Sequence, residues 1–245
     1  MLYLVPTPIG NLEDITLRAL RILKEVDLIA CEDTRRSATL LTHYGIDTPY
    51  TAYHDHNERR KTPRLIQRMQ TGTSVALITD AGSPGLSDPG FYLVRACLQD
   101  GIPVTALPGA TALVPALTGS GLPCERFVFE GFLPAKKGRR KRLAELAIET
   151  RTLVFYESPH RLLRTLEDLE GVLGSERPAA VARELTKKFE DLRRGTLAQL
   201  HAEYAASERV RGEIVIIVGG LGRNRVRSAC EQTVTSPHNA AHGSV

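Results

Sequence analysis

Short apolar runs separated by amphipathic stretches recur along the whole chain. In the first half, Leu2–Val5, Asp27–Cys31, Thr51–His54, Val75–Ile78 and Val104–Leu107 have the length and bounding turn residues of strands. Between them the apolar spacing changes to that of helices. One runs from a Thr16 cap to about Glu25, one covers Ser37–Tyr44 and is stopped by Gly45, and others cover Asn57–Gln70 and Phe91–Gln99. Pro108–Ala112 opens a helix of small residues. A second alternation follows, with strands at Arg126–Phe132, Thr152–Tyr156, Ala179–Arg183, Phe189–Arg194 and Glu213–Val218. Its helices are Arg139–Thr150, Pro159–Leu173 and Ala198–Ala206. Strands alternating with helices predict parallel βαβ units and an α/β fold. The Gly, Ser and Pro content of Thr118–Cys124 predicts a hinge. The expected organisation is an N-terminal domain 1–117, a hinge 118–124 and a C-terminal domain 125–222, with residues 223–245 a disordered tail lacking periodicity.

One stretch departs from simple alternation. The buried run Val75–Ile78 is followed by Asp80, Gly82, Ser83, Pro84, Gly85, Ser87, Asp88, Pro89 and Gly90 before helical spacing resumes at Phe91. A plain strand-to-helix connection needs about 2–6 residues, so a longer one built of Gly, Pro and Asp specifies a backbone path. Asp88 is the expected N-cap of the next helix, with Pro89 in its first turn. In open α/β sheets, ligands bind at the carboxyl ends of strands. The other loops there are Pro8-Ile9-Gly10, Glu32-Asp33-Thr34-Arg35, Pro108–Ala112 and, in the second half, Tyr156–Arg161. Small residues at Gly82, Ser83, Gly109, Ala110 and Ala112 let backbone approach a flat, nucleoside-type ligand.

Several chemistries are excluded by motif. The first strand is not followed by G-x-G-x-x-G and no P-loop occurs. Ala81–Gly85 has the spacing of a nucleophile elbow, but Pro84 has no N–H to give to an oxyanion hole. His54-Asp-His56 lacks a third ligand, so no metal is expected. His160 reads as a hydrogen-bonded loop residue. The 42% hydrophobic and 24% charged content fits an ordinary globular protein, and no run is long enough to span a membrane. Cys31, Cys97, Cys124 and Cys230 show no paired spacing, so reduced thiols and a cytoplasmic location are expected.

The net charge of +4 is small but unevenly placed. Lys136-Lys137-Gly-Arg139-Arg140-Lys141-Arg142 puts cations at the start of a helix, where the dipole disfavours them. An anionic partner such as a phosphate backbone accounts for that placement. Lys187-Lys188 and Arg193-Arg194 extend the patch, and Arg35-Arg36 approach it from the first domain.

These stretches together resemble one family. They are Leu4-Val-Pro-Thr-Pro-Ile-Gly-Asn11, Cys31-Glu-Asp-Thr-Arg-Arg36, Thr79–Gly90 and Leu107-Pro-Gly-Ala110, then Phe129-Glu-Gly-Phe-Leu-Pro134, Phe155-Tyr-Glu-Ser-Pro-His-Arg161, Ala182-Arg-Glu-Leu-Thr-Lys187 and Gly212-Glu-Ile-Val215. Over residues 1–222 the chain resembles the bacterial small-subunit (16S) ribosomal RNA cytidine 2′-O-methyltransferases of the tetrapyrrole methylase, or class III, superfamily. The resemblance implies two αβα domains with S-adenosylmethionine (SAM) in the cleft between them, a homodimer, and small-subunit ribosomal RNA, in the assembled subunit, as partner. An enzyme of the same fold acting on a small anionic tetrapyrrole is the alternative.

On this resemblance and the strand-end argument, Pro8, Ile9, Gly10, Asp80, Gly82, Ser83, Pro84, Leu86, Ser87, Gly109, Ala110, Thr111, Ala112, Tyr156 and Gly212 are the expected cofactor residues. Ser83 stands where many superfamily members carry Asp in a Gly-Asp-Pro loop. Residues 223–245 do not match the family's small C-terminal helical extension. Arg35, Arg36, Lys136, Lys137, Arg139, Arg140, Arg142, Lys187 and Lys188 are the expected RNA contacts. Glu157, then Glu32 and Asp33, are candidates to accept the ribose hydroxyl proton. The same carboxylates are equally suited to pairing with Arg35 or Arg161.

Overall fold

A computed structural model describes residues 1–207 and 209–222. The expected tail, with Cys230, lies outside the described residues. The chain divides into two units, Met1–Ala116 with Arg183–Asp191, and Leu117–Ala182 with Leu192 onward. Arg183–Asp191, assigned by sequence to the second domain, groups with the first unit.

In the first unit, β1 (Leu2–Leu4), β2 (Leu28–Cys31), β3 (Tyr50–Ala52), β4 (Val75–Ile78) and β5 (Val104–Ala106) form a sheet of order β3-β2-β4-β1-β5. Every pairing is parallel, so the carboxyl ends of all five strands share one edge, with β4 in the middle. Alternate residues face opposite ways. Leu28, Ala30, Val75 and Leu77 pack with Leu65, Met69, Leu93 and Cys97 of α3 (Glu58–Gln70) and α4 (Phe91–Gln99). Ile29, Cys31, Ala76 and Ile78 pack with Ile22, Leu23 and Leu41 of α1 (Leu17–Glu25) and α2 (Thr34–His43). Both faces being covered explains why β2 and β4 read as unbroken apolar runs.

Local signals set most helix starts. The Thr16 side chain accepts from Ala19 N–H at the head of α1. Asp33 caps α2, which begins three residues ahead of the expected start. The expected Asp88 cap of α4 is corrected. Gly90 is the N-cap, at φ 144°, and Pro89 stays outside because its carbonyl accepts from Gly85 N–H in the preceding loop. A short α5 (Leu113–Gly119) follows β5.

The second unit contains β6 (Phe127–Phe132), α6 (Arg139–Leu146), β7 (Thr152–Glu157), α7 (Leu162–Leu173), β8 (Pro178–Arg183), β9 (Asp191–Thr196), α8 (Leu197–Ala205) and β10 (Ile214–Val218). Its sheet order is β6-β7-β10-β8-β9. Pairing in this sheet is mixed. β6 and β7 are parallel, but β10 is inserted antiparallel to β7, with Val215 opposite Tyr156. Periodicity along a strand carries no information on its direction relative to a neighbour. Leu143, Leu162, Leu166, Leu169, Leu197 and Leu200 of the three helices close one core with Leu153, Phe155, Ile214 and Ile216. No described helix is long and apolar enough to cross a membrane.

Candidate active site

The strand-end edge of the first unit is laced together by backbone. In Pro6-Thr7-Pro8 only Thr7 retains an N–H, and it is used fully. Thr7 N–H donates to Gly82 C=O and Gly82 N–H to Thr7 C=O, both at 2.9 Å, while Thr7 Oγ1 donates to Thr79 C=O at 3.0 Å. This fixes the loop after β1 against the loop after β4. Ser83 Oγ donates to Ala110 C=O at 3.2 Å and ties in the loop after β5. Thr7 was not among the residues singled out by sequence, although a lone donor between two prolines is a readable signal.

Gly82 lies at φ 80°, and a Cβ built on it would stand 3.5 Å from Ile9 Cγ2 and 3.9 Å from Ala110 O. The missing side chain leaves a gap where the three loops meet. Gly85, Ser87 and Gly90, at φ 83°, 63° and 144°, give the rest of the loop its irregular path. Ser87 is the non-glycine among them, the kind of strained position that clusters at functional sites. Gly109 has a different reason for its identity, since a Cβ there would meet Pro6 Cβ at 2.6 Å.

Asp80, an expected cofactor residue, braces the loop after β4 against the loop after β2. Its Oδ1 accepts from Asp33 N–H at 3.0 Å, its Oδ2 lies 3.1 Å from Arg36 Nη1, and its own N–H donates to Glu32 Oε2 at 3.3 Å. In this pair the Arg36 side chain stays exposed. Asp33, a candidate proton acceptor, is held in its charged form. It caps α2 and is held by Arg35 (Nη2 to Oδ2, 2.8 Å), whose side-chain and backbone hydrogen bonds lower its pKa to about 2. Glu32 is opposite in character. Burial, with the nearby Asp80 and Asp55 charges, raises its pKa against the hydrogen bond from Asp80 N–H.

Glu157, at the end of β7 in the second unit, is 3% exposed. Oε1 accepts from Ser158 N–H at 2.8 Å and lies 3.3 Å from Arg161 Nε, and Oε2 accepts from Thr165 Oγ1 at 2.6 Å. Of the two readings of Glu157, these contacts favour the ion pair. The other cofactor expectations of this unit are neighbours within it. Tyr156 is in β7, and Gly212, at φ 92°, lies just before β10, which pairs with β7.

The basic run separates into two kinds of residue. Arg139 is buried, donating to Asp168 Oδ2 at 2.7 Å, Thr165 Oγ1 at 2.8 Å and Pro134 C=O at 3.3 Å. Arg142 grips Glu130 through two hydrogen bonds of 2.7 and 2.6 Å and pairs with Glu145 at 2.9 Å. Both are engaged structurally, in pairs that the run itself does not reveal, because Asp168 and Glu130 lie far from it in sequence. Lys187, half-buried beside Gly10, pairs with Glu184 at 2.9 Å, and Lys188 lies over the Phe189 ring. Lys136, Lys137, Arg140 and Lys141 are exposed, with no ion-pair partner among the described residues. Arg139→Ala should therefore cost about 3 kcal/mol of stability by stranding buried polar partners. Chemical denaturation checks this, and an unchanged midpoint would return Arg139 to the surface set.

The described residues hold no group of three or more His, Cys, Asp or Glu placed for a metal, and the His54 and His56 rings are 6.0 Å apart. A profile of the tetrapyrrole (corrin/porphyrin) methylases matches residues 1–201. The chain belongs to this family. As a tetrapyrrole methylase it is a methyltransferase of the two-sheet α/β type. The ribosomal RNA small subunit methyltransferase I of Pseudomonas aeruginosa is 56% identical over 221 residues, 89% of this chain and 78% of that one. Its counterpart from Escherichia coli O157:H7 is 52% identical over 221 residues, 89% of this chain and 77% of that one. Among solved structures, uroporphyrin-III C-methyltransferase from Thermus thermophilus, complexed with S-adenosylhomocysteine, aligns with a TM-score of 0.62 at 22% identity, over 89% and 96% of the two chains. Cobalt precorrin-4 methyltransferase aligns at 0.63 and 18%, over 89% and 94%. At such identities these two speak for the fold.

Proposed function

We propose that this tetrapyrrole methylase transfers a methyl group to the ribose 2′-hydroxyl of a cytidine in small-subunit ribosomal RNA, in the cytoplasm and as a homodimer. The observation that carries the reading is identity above 50% over nine-tenths of the chain to proteins named small-subunit ribosomal RNA methyltransferases. The exposed, unpaired Lys136, Lys137, Arg140 and Lys141 add a surface suited to phosphate. S-adenosylmethionine is the methyl donor. Gly82 supports this reading, because it puts no side chain between Ile9 and Ala110 where the three loops meet, which leaves backbone open to a flat ligand. Pro8, Leu86 and Thr111 complete this proposed contact set in the first unit.

When bound, the cofactor supplies an electrophilic methyl on a sulfonium. The chain's own part is to hold the hydroxyl in line, which contributes more than any single group, and to take its proton, for which Glu32 is the fitted carboxylate. Small ribosomal subunits lacking the modification, incubated with the protein and labelled S-adenosylmethionine, should yield 2′-O-methylcytidine on nucleoside mapping. Label on a base, or on an added tetrapyrrole alone, would overturn the assignment. Replacing Lys136, Lys137, Arg140 and Lys141 together by Ala should lower the log–log salt slope of RNA binding by about 3 and leave cofactor affinity as it is. A slope equal to the parent's would reduce the four to a solvated surface.

A further inference from the structure

The second unit presents a ring that the reading above does not use. Phe132 ends β6, the edge strand of its sheet, and is 54% exposed. A single exposed phenylalanine is ordinary, but this one is set up by its surroundings. The β6–β7 register shifts between Phe129 and Gly131, with Gly131 at φ 60°, which brings Phe132 opposite Tyr156. The Phe132 and Tyr156 rings meet edge-to-face at 5.8 Å, and Tyr156 is buttressed in turn by Phe129 at 4.9 Å.

The backbone beyond the ring is clamped. Leu133 C=O accepts from Arg161 Nη2 at 2.6 Å and Pro134 C=O from Arg139 Nη1 at 3.3 Å. Both guanidinium groups are anchored, to Glu157 and to Asp168 with Thr165. The unpaired cations begin four residues on, within about 14 Å of Phe132 by chain length alone. A pre-set aromatic face beside a run of free cations is how single-stranded nucleic acid is held, bases stacking on rings while phosphates meet the charges.

We propose that Phe132 is a base-stacking residue, on which an unpaired nucleobase of the RNA substrate lies while the adjoining phosphates contact Lys136, Lys137, Arg140 and Lys141. This rests on the RNA reading above. The Glu157–Arg161 pair thereby becomes a positioning device for the platform.

The chain has no tryptophan, so Phe132→Trp installs a lone fluorophore at the proposed stack. With a single-stranded, cytidine-containing RNA oligonucleotide, Phe132→Trp should keep its affinity and lose emission on binding. Phe132→Leu should bind about 5- to 150-fold more weakly, with the parent's salt slope and cofactor affinity, because the stack carries no charge. Circular dichroism confirms folding at this exposed site. Unchanged RNA affinity in Phe132→Leu, with the parent still binding in a salt-dependent way, overturns the stack and leaves the RNA reading standing. A parent that does not bind the RNA overturns the stack, and the methylation of small subunits then decides the RNA reading separately. Weaker cofactor binding in Phe132→Leu overturns the stack by giving the ring to the cofactor instead.

Discussion

Valine at position 82 should abolish binding of S-adenosylmethionine while the protein still folds. The glycine sits at φ 80°, which a β-branched residue adopts at a cost of about 1–3 kcal/mol, less than the 5–15 kcal/mol of a typical domain. Its N–H and C=O are both engaged with Thr7 at 2.9 Å, so the backbone has little freedom to turn the new side chain away. The Cβ is directed between Ile9 Cγ2 and Ala110 O, into the gap proposed for the cofactor. Calorimetry should show at least about a 100-fold loss, near 2.7 kcal/mol. Binding within a few-fold of the parent would remove the three loops from the site. Gly109→Ala should fail by another route, since its Cβ meets Pro6 and displaces the loop after β1.

Much of this site is legible in the sequence because its constraints are local. The length of the connection after Val75–Ile78, its positive-φ glycines and the prolines of Pro6-Thr7-Pro8 each bear on residues close along the chain. The polar roles are another matter. Arg139 and Arg140 are adjacent and chemically identical, yet one is buried on Asp168 and Thr165 and the other is exposed. Nothing within the run distinguishes them, because the deciding partners lie about a helix and a strand away. Arg142 and Glu130 are a second instance. The antiparallel insertion of β10 is similar, being a property of topology that no residue of Ile214–Val218 encodes alone. Where two readings of a carboxylate are open on sequence, as at Asp33 and Glu157, the structure chooses the arginine within a few residues, Arg35 and Arg161. At short separation, a flexible cation finds the acid readily.

That choice leaves Glu32, and its replacement by Gln should lower the single-turnover rate by about 10²–10⁴-fold, the usual contribution of a general base. Glutamine keeps the shape and can still accept from Asp80 N–H, now held at 3.3 Å from Oε2. Cofactor and RNA affinities should therefore stay within a few-fold of the parent, as expected for a group acting in the transition state. The pH dependence adds a second signature. Burial and the charges of Asp80 and Asp55 raise the Glu32 pKa above the ordinary glutamate value of about 4.3. Below that raised pKa the carboxyl holds its proton and accepts none, so the rate should climb as pH rises through it and level off above. The limb should vanish in Glu32→Gln and persist in Asp33→Asn, because the hydrogen bonds from Arg35 hold the Asp33 carboxyl down at about 2, far below the working range. Glu157→Gln should keep the limb too, while weakening the Arg161 clamp. A Glu32→Gln rate within a few-fold of the parent, or an acid limb that survives in that variant, would leave positioning of the hydroxyl as the catalytic device and end the case for a carboxylate base.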